Sequence, residues 1–183
     1  MTGEQREALR IAAYNGQVKG RTINAALRRE VRVMAQEEGR ALALNGDPLY
    51  VAGCMLYWAE GARARNQICF TNSDPEMVRF FVAFLRRYCH LRDSDIRITC
   101  NLFADHVERQ HEIEHFWLDI AALPKSCLCR STVNVYSKYS KKKRQKKLPY
   151  GTCRVVVSRT RIVQSIYGGI QEIAGFERDA WLE

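Results

Sequence analysis

The sequence predicts an α+β fold. Segments with apolar residues at helical spacing alternate with short runs rich in β-branched residues, and Gly, Pro, Asn and Asp separate them. The chain has 183 residues, of which 46% are apolar, enough for one domain with a real core plus a small appendage. No segment reaches the roughly 18 apolar residues of a membrane span. Residues 1–10 are polar and hold no signal-peptide core, so the expected location is cytoplasmic and no membrane contact is expected.

Residues 1–46 read as an N-terminal helical arm. Residues 4–14 look helical, Asn15-Gly16 and Gly20 interrupt the pattern, and Thr22 is placed to cap a second helix. Ile23, Leu27, Val31 and Met34-Ala35 stripe that second helix, with Arg28, Arg29 and Arg32 around it. Helix, glycine-rich turn, helix is the outline of a helix-turn-helix, but the first helix has few large apolar residues. A packing arm or a solvent-facing appendage fits better. Asn45-Gly46-Asp47-Pro48 closes the arm as a turn.

The next run, from Val51 to Gly61, is apolar except for Glu60. An acid in the last turn of a helix meets the negative end of its dipole, which costs a few tenths to about 1 kcal/mol, so Glu60 calls for a partner. Ala52, Gly53, Leu56, Ala59 and Glu60 form one stripe of mostly small residues. If two copies packed through it, both carboxylates and both dipole ends would converge, a repulsion that a divalent metal relieves.

Arg63-Ala64-Arg65 then leads to a strand at 67–71. Arg63 and Arg65 are candidates to touch a phosphate or to pair with Glu60. Asp74 with Pro75, or Ser73 with Glu76, can start the next helix, whose Met77, Phe80, Phe81, Phe84, Leu85 and Tyr88 mark it as core. A strand at 96–102 precedes a helix at 108–123 that Pro124 ends. In that helix His111-Glu112-Ile113-Glu114-His115 fits the H-E-x-x-H zinc-protease pattern. Both histidines, however, lie opposite Ile113, Phe116, Trp117 and Ile120, and no third ligand follows, so they read as a solvated face.

Residues 133–136 and 153–157 read as two strands of a β-hairpin. A last helix, capped by Ser158 or Thr160, buries Ile162, Val163, Ile166, Tyr167, Ile170 and Ile173. Its Gly168-Gly169 suggests a close contact or a bend, and residues 177–183 read as a tail. The seven cysteines include no C-x-x-C pair. They read as small buried hydrophobes in a reducing compartment, and Cys127-x-Cys129 is too closely spaced for the usual zinc pair.

Charge is distributed unevenly. Between Ile120 and Gln171 there is no Asp or Glu but twelve Lys and Arg, so that third of the chain carries +12 and the remainder −3. Seven of these cations, Lys138, Lys141, Lys142, Lys143, Arg144, Lys146 and Lys147, crowd into ten residues beside Tyr136 and Tyr139. In the hairpin reading they form a long basic loop whose natural counter-ion is phosphate. About six neutralised phosphates would give a salt slope of roughly −5. Such contacts set affinity, while base-edge contacts from strands specify sequence.

The segment Gly53 to Gly61, with Glu60-Gly61 in its last two places, resembles the LAGLIDADG signature of homing endonucleases and their bacterial and phage relatives. Asn72-Ser73-Asp74-Pro75, Tyr150-Gly151-Thr152 and the helix from Ile162 to Gly169 also look like that group, so the resemblance covers residues 50–172. The family's third-position glycine falls on Met55, and a glycine stands at Gly53.

The resemblance implies a LAGLIDADG-like domain at 47–176 with a saddle-shaped antiparallel sheet that sits on DNA. Because the signature occurs once, it implies a homodimer. Glu60 would be the catalytic Mg²⁺ ligand of a double-strand endonuclease, and Lys138 is the candidate for a nearby basic group that polarises solvent or phosphate. Groove-facing strand residues would read bases, and Arg97, Asn134, Tyr136, Lys138 and Arg154 are the candidates. One branch of the family keeps the fold without cleavage. The alternative is therefore a non-catalytic regulator, or an RNA-binding splicing helper, in which Glu60 only closes a helix interface.

Overall fold

The computed structural model describes residues 2–134 and 148–183. It is an α+β fold with five α-helices and a four-stranded mixed sheet. The elements are α1 (Gly3–Leu44), α2 (Pro48–Glu60), β1 (Ile68–Asn72), α3 (Pro75–Cys89), β2 (Arg97–Phe103), α4 (Gln110–Ala121), β3 (Thr132–Asn134), β4 (Thr152–Val157) and α5 (Thr160–Ala174). No helix among the described residues is long and apolar enough to cross a membrane.

The arm is one helix rather than two. Thr22 does not cap: its hydroxyl donates to the Val18 carbonyl at 3.1 Å, one turn back, and the helix runs through Gly16 and Gly20. Each glycine costs about 1 kcal/mol in a helix interior but does not by itself stop the hydrogen-bond ladder. The cap lies at Thr2, whose hydroxyl accepts from the Gln5 amide while the Gln5 side chain accepts from the Thr2 amide. The 42-residue helix spans about 63 Å. Its first three turns and more stand clear of the body, leaving Leu9, Tyr14, Ile23 and Leu27 at least half exposed.

Only its last third is packed, and glycine makes that contact possible. A Cβ on Gly39 would lie 1.7 Å from the Ser165 carbonyl oxygen of α5, and one on Gly168 would lie 2.0 Å from the Gln36 carbonyl oxygen. The close approach expected from Gly168-Gly169 is this α1–α5 seam. Between the helices Gln36 donates to Gln164 Oε1 (2.8 Å) and Gln171 donates to Gln36 Oε1 (2.9 Å), so every buried amide finds a partner. The final residues are packed as well: Trp181 is buried and stacks on Tyr167 with centroids 4.2 Å apart.

The helix starts differ in part from the sequence reading. Asp74, not Ser73, caps α3, accepting from Glu76 N (2.8 Å) and Met77 N (3.4 Å), with Pro75 at the first position. Its buried stripe is Val78, Phe81, Val82, Phe84 and Leu85, and Met77 falls on the exposed edge. Neither Ser158 nor Thr160 caps α5, which starts after Arg159 without a side-chain cap. In α4 Ile113 and Trp117 point into the core. His111 is on the solvent side, and Glu114 turns under the helix to accept from Gln110 and Ser131.

The sheet order is β1-β4-β2-β3. β4 pairs antiparallel with both β1 and β2, while β3 pairs parallel with β2. The expected β3–β4 hairpin is absent, and the sheet is mixed rather than antiparallel throughout. Burial accounts for the order. β4 carries Cys153, Val155 and Val157, all fully buried, and takes a central place. Three-residue β3 has no fully buried side chain and stays at the edge, reached from β2 by the α4 crossover that a parallel pair requires.

The inner face of the sheet packs on the helices. Phe70 stacks on Phe81 with centroids 4.3 Å apart, and Ile68, Ile98, Leu102, Ile113 and Trp117 complete the core. Among the described residues no helix covers the other face.

Candidate nucleic-acid interface

Strand alternation and register decide what the open face carries. Registered residues share a face, so the inward Phe70, Val155 and Ile98 put Thr71, Arg154 and Thr99 in a row on the opposite side. A second row, Thr152, Asn101 and Thr132, is hydrogen bonded across three strands: Asn101 Nδ2 donates to Thr152 Oγ1 (3.1 Å), and Thr132 donates to Asn101 Oδ1 (2.9 Å). Arg97 lies beside Val156, and Asn134 beside Phe103. No strand contains Asp or Glu.

The three sequence candidates within the described strands, Arg97, Asn134 and Arg154, are therefore brought to one face and all three are exposed. Arg154 Nε donates to Cys69 Sγ (3.0 Å), and Arg97 curls back to the Ser94 and Ile96 carbonyls (2.9 and 3.0 Å). Tyr136, Lys138, Lys141, Lys142, Lys143, Arg144, Lys146 and Lys147 lie outside the described residues. Thr71, Thr99, Asn101, Thr132 and Thr152 were missed. The inward alternation of Ile98, Cys100 and Leu102 would have found Thr99 and Asn101, but the rest depend on register.

One edge of this face begins at the end of α2. Asp47 caps that helix through the Leu49 amide (2.9 Å), and Tyr50, Gly53, Cys54 and Tyr57 face inward. Gly53 is pressed on Phe84, where a Cβ would come within 2.2 Å of the ring. It is thus committed to α3 and is removed from the stripe expected to meet a second copy. Ala52, Ala59 and Glu60 remain exposed and Leu56 is half-buried.

Glu60 makes no hydrogen bond or ion pair with a described residue, and neither Arg63 nor Arg65 pairs with it. The next residue, Gly61, bridges Phe70 of β1, and Ala62 N donates to Cys69 O (2.8 Å). Glu60 thus sits at the β1 edge, about 10 Å or two strand spacings from β4.

The loop after it is held by its carbonyls. Tyr57 donates to Ala62 O (2.9 Å), Tyr167 to Ala64 O (2.9 Å) and Gln164 to Arg65 O (2.9 Å). Burial pushes both phenols above their ordinary range, so they remain donors. With the backbone fixed, the Arg63 and Arg65 side chains project into solvent.

A third basic feature, missed from the sequence as a site, adjoins this loop. Arg32 of α1 donates from Nη1 to Leu182 O (2.8 Å) and Glu183 O (3.0 Å), and from Nη2 to Asn66 Oδ1 (3.2 Å). It lines a cleft of about 470 Å³ together with Arg28, Asn24, Asn66 and Thr160.

Among the described residues no group of three or more His, Cys, Asp or Glu is placed to hold a metal. Glu60 alone is one ligand, so a metal there would need donors from outside the described residues. All seven cysteines are free, and Cys54, Cys69, Cys100, Cys127 and Cys153 are buried. No family model, curated protein or solved structure matches the chain.

Proposed function

We propose that the protein binds double-stranded DNA across the open face of its sheet. The observation that carries this reading is an acid-free strand surface on which Arg97 and Arg154 stand among Thr71, Thr99, Asn101, Thr132, Asn134 and Thr152. These are side chains that hydrogen bond base edges and phosphates. In the sequence Asn134 is followed by the cation-dense stretch from Lys138 to Lys147, whose part is sequence-independent attraction to the backbone. Arg63 adds an exposed cation at the opposite edge.

Fluorescence anisotropy with a labelled duplex and with single-stranded RNA of the same sequence tests this. Tight duplex binding with a steep salt dependence is expected. Preference for the RNA would replace DNA by the splicing-helper alternative, and no salt-dependent binding to either would end the reading.

A second reading, a LAGLIDADG-like homodimeric endonuclease, draws on Glu60. Its exposed carboxylate, without a partner among the described residues, lies at the β1 edge beside the open face, and Ala52 and Ala59 are exposed on the outer side of α2. Glu60 from each copy would hold Mg²⁺ with phosphate oxygens and water completing the shell, and the ion would supply Lewis-acid activation of a phosphodiester. Lys138 is the accompanying basic candidate. Supercoiled plasmid with Mg²⁺ separates this from a non-catalytic regulator: nicking by wild type that Glu60→Gln abolishes supports it. An intact plasmid with both proteins, or a monomer by light scattering in the presence of DNA, refutes it.

A further inference from the structure

We propose that the cleft between the middle of α1 and the loop at 63–66 is a phosphate-binding site, separate from the sheet face, that takes a backbone phosphate of the bound nucleic acid. The site itself stands on the cleft geometry; only the source of the phosphate rests on the DNA-binding reading.

The cleft gathers arginines without an acid. Arg28 and Arg32 are one helical turn apart on the same side of α1, and the residues lining the cleft include no Asp or Glu. Arg32 is fixed by three carbonyl oxygens, so its plane cannot swing away, and its Nε is buried without a hydrogen-bond partner among the described residues. The backbone of Arg65 is held through its carbonyl by Gln164. Burial, then Arg65, then Arg28 lower the Arg32 pKa, and no acidic side chain contributes in the other direction. Arg65 and Arg28 thus both act on Arg32, and like charges held near one another are relieved by a bound anion.

The remaining lining fits an oxyanion. The Asn24 and Asn66 side chains and the Thr160 hydroxyl offer neutral donors around the cations, and guanidinium forks match phosphate geometry. Two apolar residues of α1 complete the wall, which suits a sugar beside the phosphate. Other arginines of the body are already satisfied: Arg40 pairs with Glu172 and Glu177, Arg86 with Asp93, and Arg161 with Glu38. Among the described residues Arg28 and Arg65 have no such acid, and the cleft differs from the general basic surface in being a concavity lined by two arginines and no acid.

The test uses the full chain in two arms. In the first, inorganic phosphate is titrated into ¹⁵N-labelled protein. The Asn66 and Thr160 amides should shift saturably, and the shifts should vanish in the Arg28→Gln/Arg65→Gln double variant. In the second, duplex affinity is measured against salt. The double variant should bind roughly tenfold more weakly, with the slope reduced by one to two.

Arg79→Gln, on α3 and paired with Glu76, is the control and should change neither arm. Shifts together with a reduced slope establish the site. Shifts with an unchanged slope leave the phosphate site standing and overturn the nucleic-acid source in favour of a free phosphate. Absence of shifts overturns the proposal. A wild type that binds no duplex refutes the DNA reading alone, and the phosphate titration still decides the cleft.

Discussion

Gln36 donates its side-chain amide to Gln164 Oε1 at 2.8 Å, with both residues buried between α1 and α5. Gln164 in turn donates to Arg65 O and Trp181 O, both at 2.9 Å. One side chain thus ties the arm, the arginine loop and the last residues of the chain together. Gln164→Leu would leave the Gln36 amide and two carbonyls unsatisfied. At about 1 kcal/mol or more each, the expected loss is roughly 3–4 kcal/mol, read as a lower urea midpoint with an unchanged m-value.

Glycines in α1 should respond with opposite signs. Gly39→Ala places a methyl 1.7 Å from the Ser165 carbonyl oxygen and must force the helices apart, at a cost of about 3 kcal/mol or more. Gly16→Ala meets nothing within 4 Å and removes a helix-interior glycine, so it should stabilise α1 by about 1 kcal/mol. Far-ultraviolet circular dichroism through thermal unfolding reads both.

On the open face, Arg154→Ala and Arg97→Ala should each weaken duplex binding. A base contact would cost about 1–3 kcal/mol for the cognate base only. A phosphate contact would weaken all sequences alike and reduce the salt slope by about one. Anisotropy across a panel of duplexes at several salt concentrations distinguishes the two, and equal affinity for both variants and wild type would contradict the assignment of this face.

Thiol reactivity should be confined to one place. Cys129 is exposed, whereas burial pushes Cys54 up to about 12, Cys89 up to about 12 and Cys100 up to about 11. An aromatic disulfide reagent at pH 8 should find a rapidly reacting Cys129, absent in Cys129→Ser, with the buried thiols reacting only on unfolding.

Acid should loosen the junction between β2 and α5. The Arg92 backbone amide, and beyond it Arg159, hold the Asp95 carboxyl below its ordinary value. A depressed carboxylate stabilises the fold above the unfolded-state pKa of about 4, and this is lost as pH falls through the lower folded value. The melting temperature of Asp95→Asn should therefore lie below that of wild type at pH 6, and the gap should close toward pH 2.

Much of the architecture was legible because its causes are local. The spacing of Phe81, Phe84 and Leu85 specifies a helix, Asp74-Pro75 starts it, and Ile98, Cys100 and Leu102 announce a half-buried strand. The candidate site was legible in part: Arg97, Asn134 and Arg154 do share a face, while their threonine neighbours became visible only through register. Gly53 shows the limit of a pattern. A small residue signals that something comes close, and the something proved to be Phe84 of the same chain.

The chain by itself determined most of the helix and strand segments, though not the continuity of α1, and the concentration of +12 in one third of its length, because periodicity and charge are properties of neighbouring residues. Tertiary structure alone decided that β4 enters between β1 and β2, that β3 runs parallel at the edge, and that Arg28 and Arg32 line a cleft with Asn66 and Thr160. Strand order is a competition for burial among segments far apart in sequence. Three fully buried side chains of β4 outweigh the short connection that would have favoured a hairpin.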